Sequence, residues 1–349
     1  MSGGLGVTPV PRTLDELLSP SWLTSALSER FGDVEVTAVT PGPVVSRVST
    51  NARFTITCSG APPPGLPTAL CAKGYFSEIG RPYAHVGVRE AMFYRELAEA
   101  SGVRTLRPVY AEADPAGTRG VVITEDVIAA GGRFLDARDE YSPDQVAESL
   151  GQLAALHAST WGAARYTSAP WLRPLMATYL ESRGLAEITG NFEGPLGAGV
   201  PSGAKDPARL VAAFRALSTE PARSVIHGDA HVGNLFLDGD GRPALVDWQC
   251  VQAGSWGIDV GYHIASAFPV AERERHEHDL LAHYLEQLAS RGVDVPGRDE
   301  AWLGYRKGVL YGFFLWAITL HVEPVIIATL LERLGTATAA HECMAAVPA

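Results

Sequence analysis

His227-Gly228-Asp229, Asn234 and Asp247 bring an imidazole, two carboxylates and a carboxamide into one short stretch, HGDAHVGNLFLDGDGRPALVDWQ. Asp and Asn oxygens suit a hard cation such as Mg²⁺. A further carboxylate beside that cation can orient a hydroxyl and accept its proton. Leu235-Phe236-Leu237 and Ala244-Leu245-Val246 flank Asp238-Gly239-Asp240-Gly241, a strong turn sequence, so a β-hairpin is expected. With Leu237 facing Ala244 and Leu235 facing Val246, Asn234 falls opposite Asp247. Directly opposed Cβ atoms lie about 5 Å apart. Asp229, in the irregular loop leading to the hairpin, is then the candidate base, and Asn234 and Asp247 are the candidate metal ligands.

The same stretch permits a second chemistry. His227, Asp229 and His231 alternate, so on a straight strand they would share one face and could hold Zn²⁺ for hydrolysis. Gly228 and Gly233 favour a bent loop over that strand. Another cluster, RHEHDLLAHY, places Asp279 and His283 four residues apart, and reads as a solvated helix face. No GxxxxGK[ST], GxSxG or HExxH pattern is present.

The elements that must position these residues change character along the chain. ARFTITC (52–58) and TALCAKGYF (68–76) are β-rich and flank APPPGLP, a loop joining two antiparallel strands. VREAMFYRELAEA reads as a helix with Glu90, Tyr94 and Leu97 on one face, and GVVITEDV as a strand. Beyond it, Ser142-Pro143-Asp144-Gln145 has the form of a capping box, and Val146, Leu150, Leu153 and His157 form a core-facing stripe. His157 is expected to be a core histidine and not a ligand. Segments 280–288 and 302–334 also look helical. The fold expected is α+β and two-lobed, with a small β-rich N-terminal lobe (1–125, residues 1–15 flexible) and a larger, mainly helical C-terminal lobe (126–349). The cleft should lie near residue 125.

Composition narrows the function. The 349 residues are 46% hydrophobic and 19% charged, ordinary for a globular chain, and the net charge of −11 with no Lys/Arg cluster argues against nucleic acid as a partner. GVLYGFFLWAITL (308–320) is too short to span a bilayer. Four widely spaced cysteines without a CxxC pair, and an N-terminus unlike a signal peptide, point to the cytoplasm. Oligomeric state is not legible.

The pattern His227-Gly228-Asp229, Asn234, then a hydrophobic-Asp-aromatic step at Asp247 resembles the aminoglycoside phosphotransferase and choline kinase superfamily, relatives of protein kinases. The resemblance implies a protein-kinase-like fold, ATP and Mg²⁺ as cofactors, and a small hydroxylated molecule as acceptor. It makes Asp229 the catalytic base, Asn234 and Asp247 the metal ligands, and Asp259 a brace for the catalytic loop. It also implies Lys73 on the strand LCAKGYF as the phosphate-neutralising lysine, paired with Glu90 on the next helix. A phosphate-covering loop is implied over Val44–Phe54. That segment lacks a glycine-rich signature and offers Ser49, Thr50 and Asn51. Glu125-Asp126-Val127 is similar to the hinge that meets adenine through backbone groups. Asp247-Trp248-Gln249 resembles the ecdysteroid-kinase-like branch, whose members phosphorylate small hydroxylated compounds.

Trp302, Tyr305, Tyr311, Phe313, Phe314 and Trp316 are mostly core by their spacing. Any that face the cleft would favour an apolar alcohol, sterol-like or acyl, over an aminoglycoside, which calls for clustered acids. A nucleotide-binding pseudokinase is a further alternative, although every expected polar position is occupied.

Overall fold

A computed structural model describes residues 8–347. Thr13 caps α1 (Leu14–Leu17) and Ser19 caps α2 (Pro20–Phe31) through their side-chain oxygens, with Pro20 in the first turn, where no N–H is needed. Part of the leader expected to be flexible, residues 1–7, lies outside the described residues. From Thr8 onward the chain is packed: Thr8 N–H donates to Glu29 at 2.6 Å and Trp22 Nε1 donates to the Pro9 carbonyl at 2.9 Å.

Strands β1 (Val36–Ser46), β2 (Thr50–Cys58) and β3 (Ala69–Gly74) are followed by α3 (Gly87–Glu96) and α4 (Ala98–Ser101). Then β4 (Pro108–Ala113) and β5 (Gly120–Glu125) complete an antiparallel sheet ordered β1-β2-β3-β5-β4. APPPGLP joins β2 to β3. The period-two pattern of β3 buries Leu70 and Ala72 with Trp22, Leu23 and Leu27 of α2, which leaves Cys71 and Lys73 on the opposite face.

After β6 (Arg133–Phe134) the chain becomes helical. Ser142 accepts from Gln145 N–H and Gln145 accepts from Ser142 N–H, a complete capping box opening α5 (Pro143–Thr160). The stripe Val146, Leu150, Leu153 and His157 is wholly buried. Helices α6 (Ala164–Thr167), α7 (Met176–Ser182), α8 (Leu185–Glu193) and α9 (Pro207–Leu217) lead to β7 (Ser224–Ile226), β8 (Leu235–Leu237), β9 (Pro243–Leu245) and β10 (Gln252–Gly254). β10 pairs with β7, and β8 lies between β6 and β9. Helices α10 (Trp256–Ala267), α11 (Val270–Ala289), α12 (Arg298–Ala317) and α13 (Pro324–Ala340) complete the chain's helical part. The segment 302–334, expected to be helical, is two helices: α12 ends at Ala317, and Pro324 occupies the first turn of α13.

Helices α10 and α12 touch backbone to backbone. A Cβ on Gly308 would lie 1.9 Å from the Gly257 carbonyl oxygen, and one on Gly261 would lie 2.1 Å from that of Tyr305. Tyr305, Tyr311, Phe313 and Phe314 of α12 are fully buried, as their spacing implies. No helix among the described residues is long and apolar enough to cross a membrane.

Candidate active site

The hairpin register differs by one residue from the expected one: Leu235 pairs with Leu245, Phe236 with Ala244 and Leu237 with Pro243. Gly241 N–H donates to Asp238 O, Asp238 N–H donates to Arg242 O, and Gly241 has φ +79°. This is a turn followed by a left-handed glycine, a loop with an odd residue count, whereas the expected pairing assumed an even one. Asn234 therefore lies opposite Val246, whose N–H donates to it at 2.9 Å. Asp247 lies one residue beyond.

Asp247 reaches the site by a backbone bend. Its φ of 64° and ψ of 62° are left-handed, unusual without glycine, and a strained conformation of this kind needs external support. Lys73 Nζ supplies part of it, 2.8 Å from Asp247 Oδ1 and 2.7 Å from Glu90 Oε2. One ammonium thus joins β3, α3 and the turn after β9. Burial would lower the Lys73 pKa, but Asp247 and Glu90 hold it well above the usual value. Burial would raise Asp247, and Lys73 keeps it low; Glu90 is raised because burial outweighs the shared lysine.

Trp248 locks the residue after the bend. Its ring stacks on Phe93 of α3 at 3.6 Å between centroids, and its Nε1 donates to Thr105 Oγ1 at 2.8 Å. Thr105 donates to the Leu245 carbonyl at 2.7 Å, so Tyr94 O–H, 3.2 Å away, is the donor in the third contact.

The loop carrying Asp229 is organised from α10. Asp259, fully buried, accepts His227 N–H at 2.6 Å, Gly228 N–H at 2.9 Å and His157 Nε2–H at 3.1 Å. Its carboxyl is held low: burial acts against ionisation, and the hydrogen bonds from His157 and from the Gly228 N–H outweigh it. His157 Nδ1 accepts from Tyr284 O–H at 2.8 Å, which satisfies both nitrogens of this core histidine.

Asp229 Oδ2 accepts from Asn234 Nδ2 at 2.9 Å, and the same amide donates to the Asp229 carbonyl at 2.8 Å. This leaves Asn234 Oδ1 and Asp247 Oδ2 without a protein donor among the described residues. Both are oxygen donors of the kind that a hard cation takes, and both residues line one cleft. The zinc arrangement does not form. His227 Nε2 donates to the Val246 carbonyl at 2.8 Å and Nδ1 accepts Asp229 N–H, so neither nitrogen is free. His231 turns Nδ1 to Gly233 N–H and keeps Nε2 3.9 Å from Asp229.

The cleft holds about 420 Å³ between the sheet and the hairpin. Asn51, Lys73, Glu125, Val127, Asn234 and Asp247 all line it. Thr50 does not: it alternates to the other face of β2, is buried, and bonds Ser46 Oγ, while Ser49 and Asn51 face the cleft. At the back wall, Glu125 N–H donates to Arg107 O and Asp126 N–H to Ala69 O. Among the described residues Val127 N–H has no acceptor, so of the two hinge candidates it is the one with a free donor. Asp126 accepts from Arg53 at 2.7 Å and from Ile128 N–H at 3.1 Å, which fixes the turn that follows.

Residues 76–298 match the family described as Phosphotransferase enzyme family. The chain belongs to this phosphotransferase family. Lys73 lies just before the matched span, so its place in the site rests on the contacts above. The fold is kinase-like. It resembles that of an aminoglycoside 2'-phosphotransferase variant in complex with GDP (17% identity, 92% of this chain and 98% of that one, TM-score 0.51). It also resembles choline kinase from Cryptosporidium parvum Iowa II (11% identity, 88% and 89% coverage, TM-score 0.50). No curated protein matches the chain in sequence.

Sequence reasoning missed three supports of this phosphotransferase's site: Thr105, Tyr262 and Trp316. Tyr262 carried a readable signal, since it lies three residues after Asp259 on one helix and so on nearly the same face. Thr105 and Trp316 are brought in by tertiary packing and carried none.

Proposed function

We propose that the protein is an ATP- and Mg²⁺-dependent O-phosphotransferase acting on a hydroxyl of a small molecule. The observation that carries this reading is the bridge from Lys73 to both Glu90 and Asp247 at the floor of a cleft shared with Asn234. Residues 1–125 would form the nucleotide-binding lobe and 126–349 the catalytic and acceptor-binding lobe. Val127 N–H would meet the base of the nucleotide, with Asn51 and Lys73 near its phosphates. Asn234 Oδ1 and Asp247 Oδ2 would hold Mg²⁺, whose charge neutralises phosphate oxygens when it is bound.

Asp229 would orient the acceptor hydroxyl and receive its proton. The acceptor oxygen forms a bond to the γ-phosphorus as the bond to the bridging oxygen of ADP breaks, and the phosphorylated acceptor and ADP leave. The acceptor proposed is an apolar alcohol, sterol-like or acyl, in keeping with the ecdysteroid-kinase-like form Asp247-Trp248-Gln249.

The test is a coupled ADP-release screen over hydroxylated sterols, acyl compounds, amino alcohols and aminoglycosides. Turnover with a sterol-like or acyl alcohol supports the full reading, and turnover with an aminoglycoside alone replaces the acceptor class. Asp229→Asn is expected to retain ATP binding and to abolish transfer; wild-type turnover in that variant would overturn the mechanism.

A further inference from the structure

The Asp229 carboxylate is gripped on both oxygens. Asn234 holds Oδ2, and Tyr262 Oη lies 3.1 Å from Oδ1. Behind Tyr262, Trp316 Nε1 lies 2.6 Å from the same phenolic oxygen. The three residues come from the catalytic loop, α10 and α12.

Donor chemistry gives this chain a single direction. An indole nitrogen can only donate, so the Trp316 N–H occupies a lone pair of the Tyr262 oxygen. The one phenolic proton is then free to be donated to Asp229, which as a carboxylate can only accept. Tyr262 is 0% and Trp316 5% exposed, so water does not compete for either contact. Burial, and next the charge of Asp229, hold the Tyr262 hydroxyl well above its usual pKa, which keeps the proton on it. Rotating the carboxylate would break contacts on both sides at once.

We infer that Tyr262, pinned by Trp316, is a positioning residue that fixes the Asp229 carboxylate in the orientation that meets the acceptor hydroxyl. This rests on the reading of Asp229 as the base. Tyr262 transfers no proton. Each carboxylate oxygen retains acceptor capacity beyond the contact it already makes, so the hydroxyl can still be met. Trp316 acts one step further out, by holding the phenolic oxygen where its proton faces Oδ1. The His231 ring, edge to face with Trp316 at 5.3 Å, closes the other side of the indole.

The experiment uses the full chain with ATP and Mg²⁺. Turnover is read as ADP release to water and to whichever hydroxyl compound the screen returns, with kcat and KM for ATP measured separately. Tyr262→Phe keeps the ring and removes the donor. It should lower kcat by about tenfold or more, as for a hydrogen bond to a charged group, with KM for ATP within about twofold. Trp316→Phe should cause a smaller change in the same direction. The double variant should be no worse than Tyr262→Phe, because both act through one contact.

Wild-type kcat in Tyr262→Phe would overturn the inference, as would a loss confined to KM or effects that multiply in the double variant. Should Tyr262→Phe fail to fold, Trp316→Phe decides, and an unchanged kcat there overturns the inference. Asp229→Asn separates the two levels. If it silences transfer while Tyr262→Phe does not slow it, only the positioning role falls. If it retains transfer, or if the wild type binds ATP without turnover, the base falls and the positioning role with it.

Discussion

Lys73 Nζ stands 2.7 Å from Glu90 and 2.8 Å from Asp247, so one positive charge serves two carboxylates, one from α3 and one from the turn after β9. Replacing it with Lys73→Met leaves Glu90, whose side chain is 4% exposed, with no counter-charge. Breaking a buried pair in this way costs about 3–5 kcal/mol. Glu90 can escape by taking up a proton, so the loss should be larger at about pH 8 than at about pH 5. Urea denaturation at both values checks this, and an equal loss at the two would show that Glu90 stays neutral in the native protein.

His263 sets a stability limit on the acid side. Its Nδ1 lies 2.8 Å from the Ala230 carbonyl and its Nε2 2.6 Å from Ser149 Oγ, and burial pushes its pKa down from 6.5 to about 4. The unfolded chain therefore binds this proton first as pH falls. The stability contributed is complete above about pH 6.5 and lost progressively toward about pH 4, on the order of 3 kcal/mol across the window. His263→Gln should flatten the dependence of Tm on pH in that interval. Equal slopes for the two proteins would exclude His263 as its source.

Thr105→Val removes the acceptor of the Trp248 indole proton and of the Tyr94 hydroxyl. The expected cost is about 1–3 kcal/mol for stranding buried donors. Because Trp248 follows Asp247 directly, the variant should also lose more turnover than ATP affinity. Calorimetry and single-turnover kinetics on the same preparation measure both.

Gly308→Ala tests the contact between α10 and α12. The new methyl would meet the Gly257 carbonyl at 1.9 Å, and neither helix backbone can yield locally. A loss of about 3 kcal/mol or more is expected. Gly292→Ala, where nothing lies within 4 Å but φ is +82°, should cost less and leave turnover intact.

The division into a β-rich and a helical part, the loop APPPGLP, the capping box at Ser142 and the pairing of Lys73 with Glu90 were legible because each depends on neighbours in sequence or on a charge needing a partner. The Asn234/Asp247 register was not. It turns on whether the hairpin loop holds an odd or even number of residues, and Asp238-Gly239-Asp240-Gly241 allows both. Thr50 was misplaced for a related reason: near a turn, the side a strand residue faces depends on where pairing begins. The grip of Tyr262 and Trp316 on Asp229 needs α12 folded across α10, and no local pattern encodes that crossing.

The stack of Trp248 on Phe93 decides how the cleft can breathe. Parting these rings would return on the order of several kcal/mol of aromatic surface to water. Any motion that widens the cleft must therefore pivot about the stack and cannot pull it open. Helix α3 and the Asp247 turn are thereby joined as one unit, and Lys73 ties β3, and through its pairing with β2 the hairpin bearing Ser49 and Asn51, to the same unit.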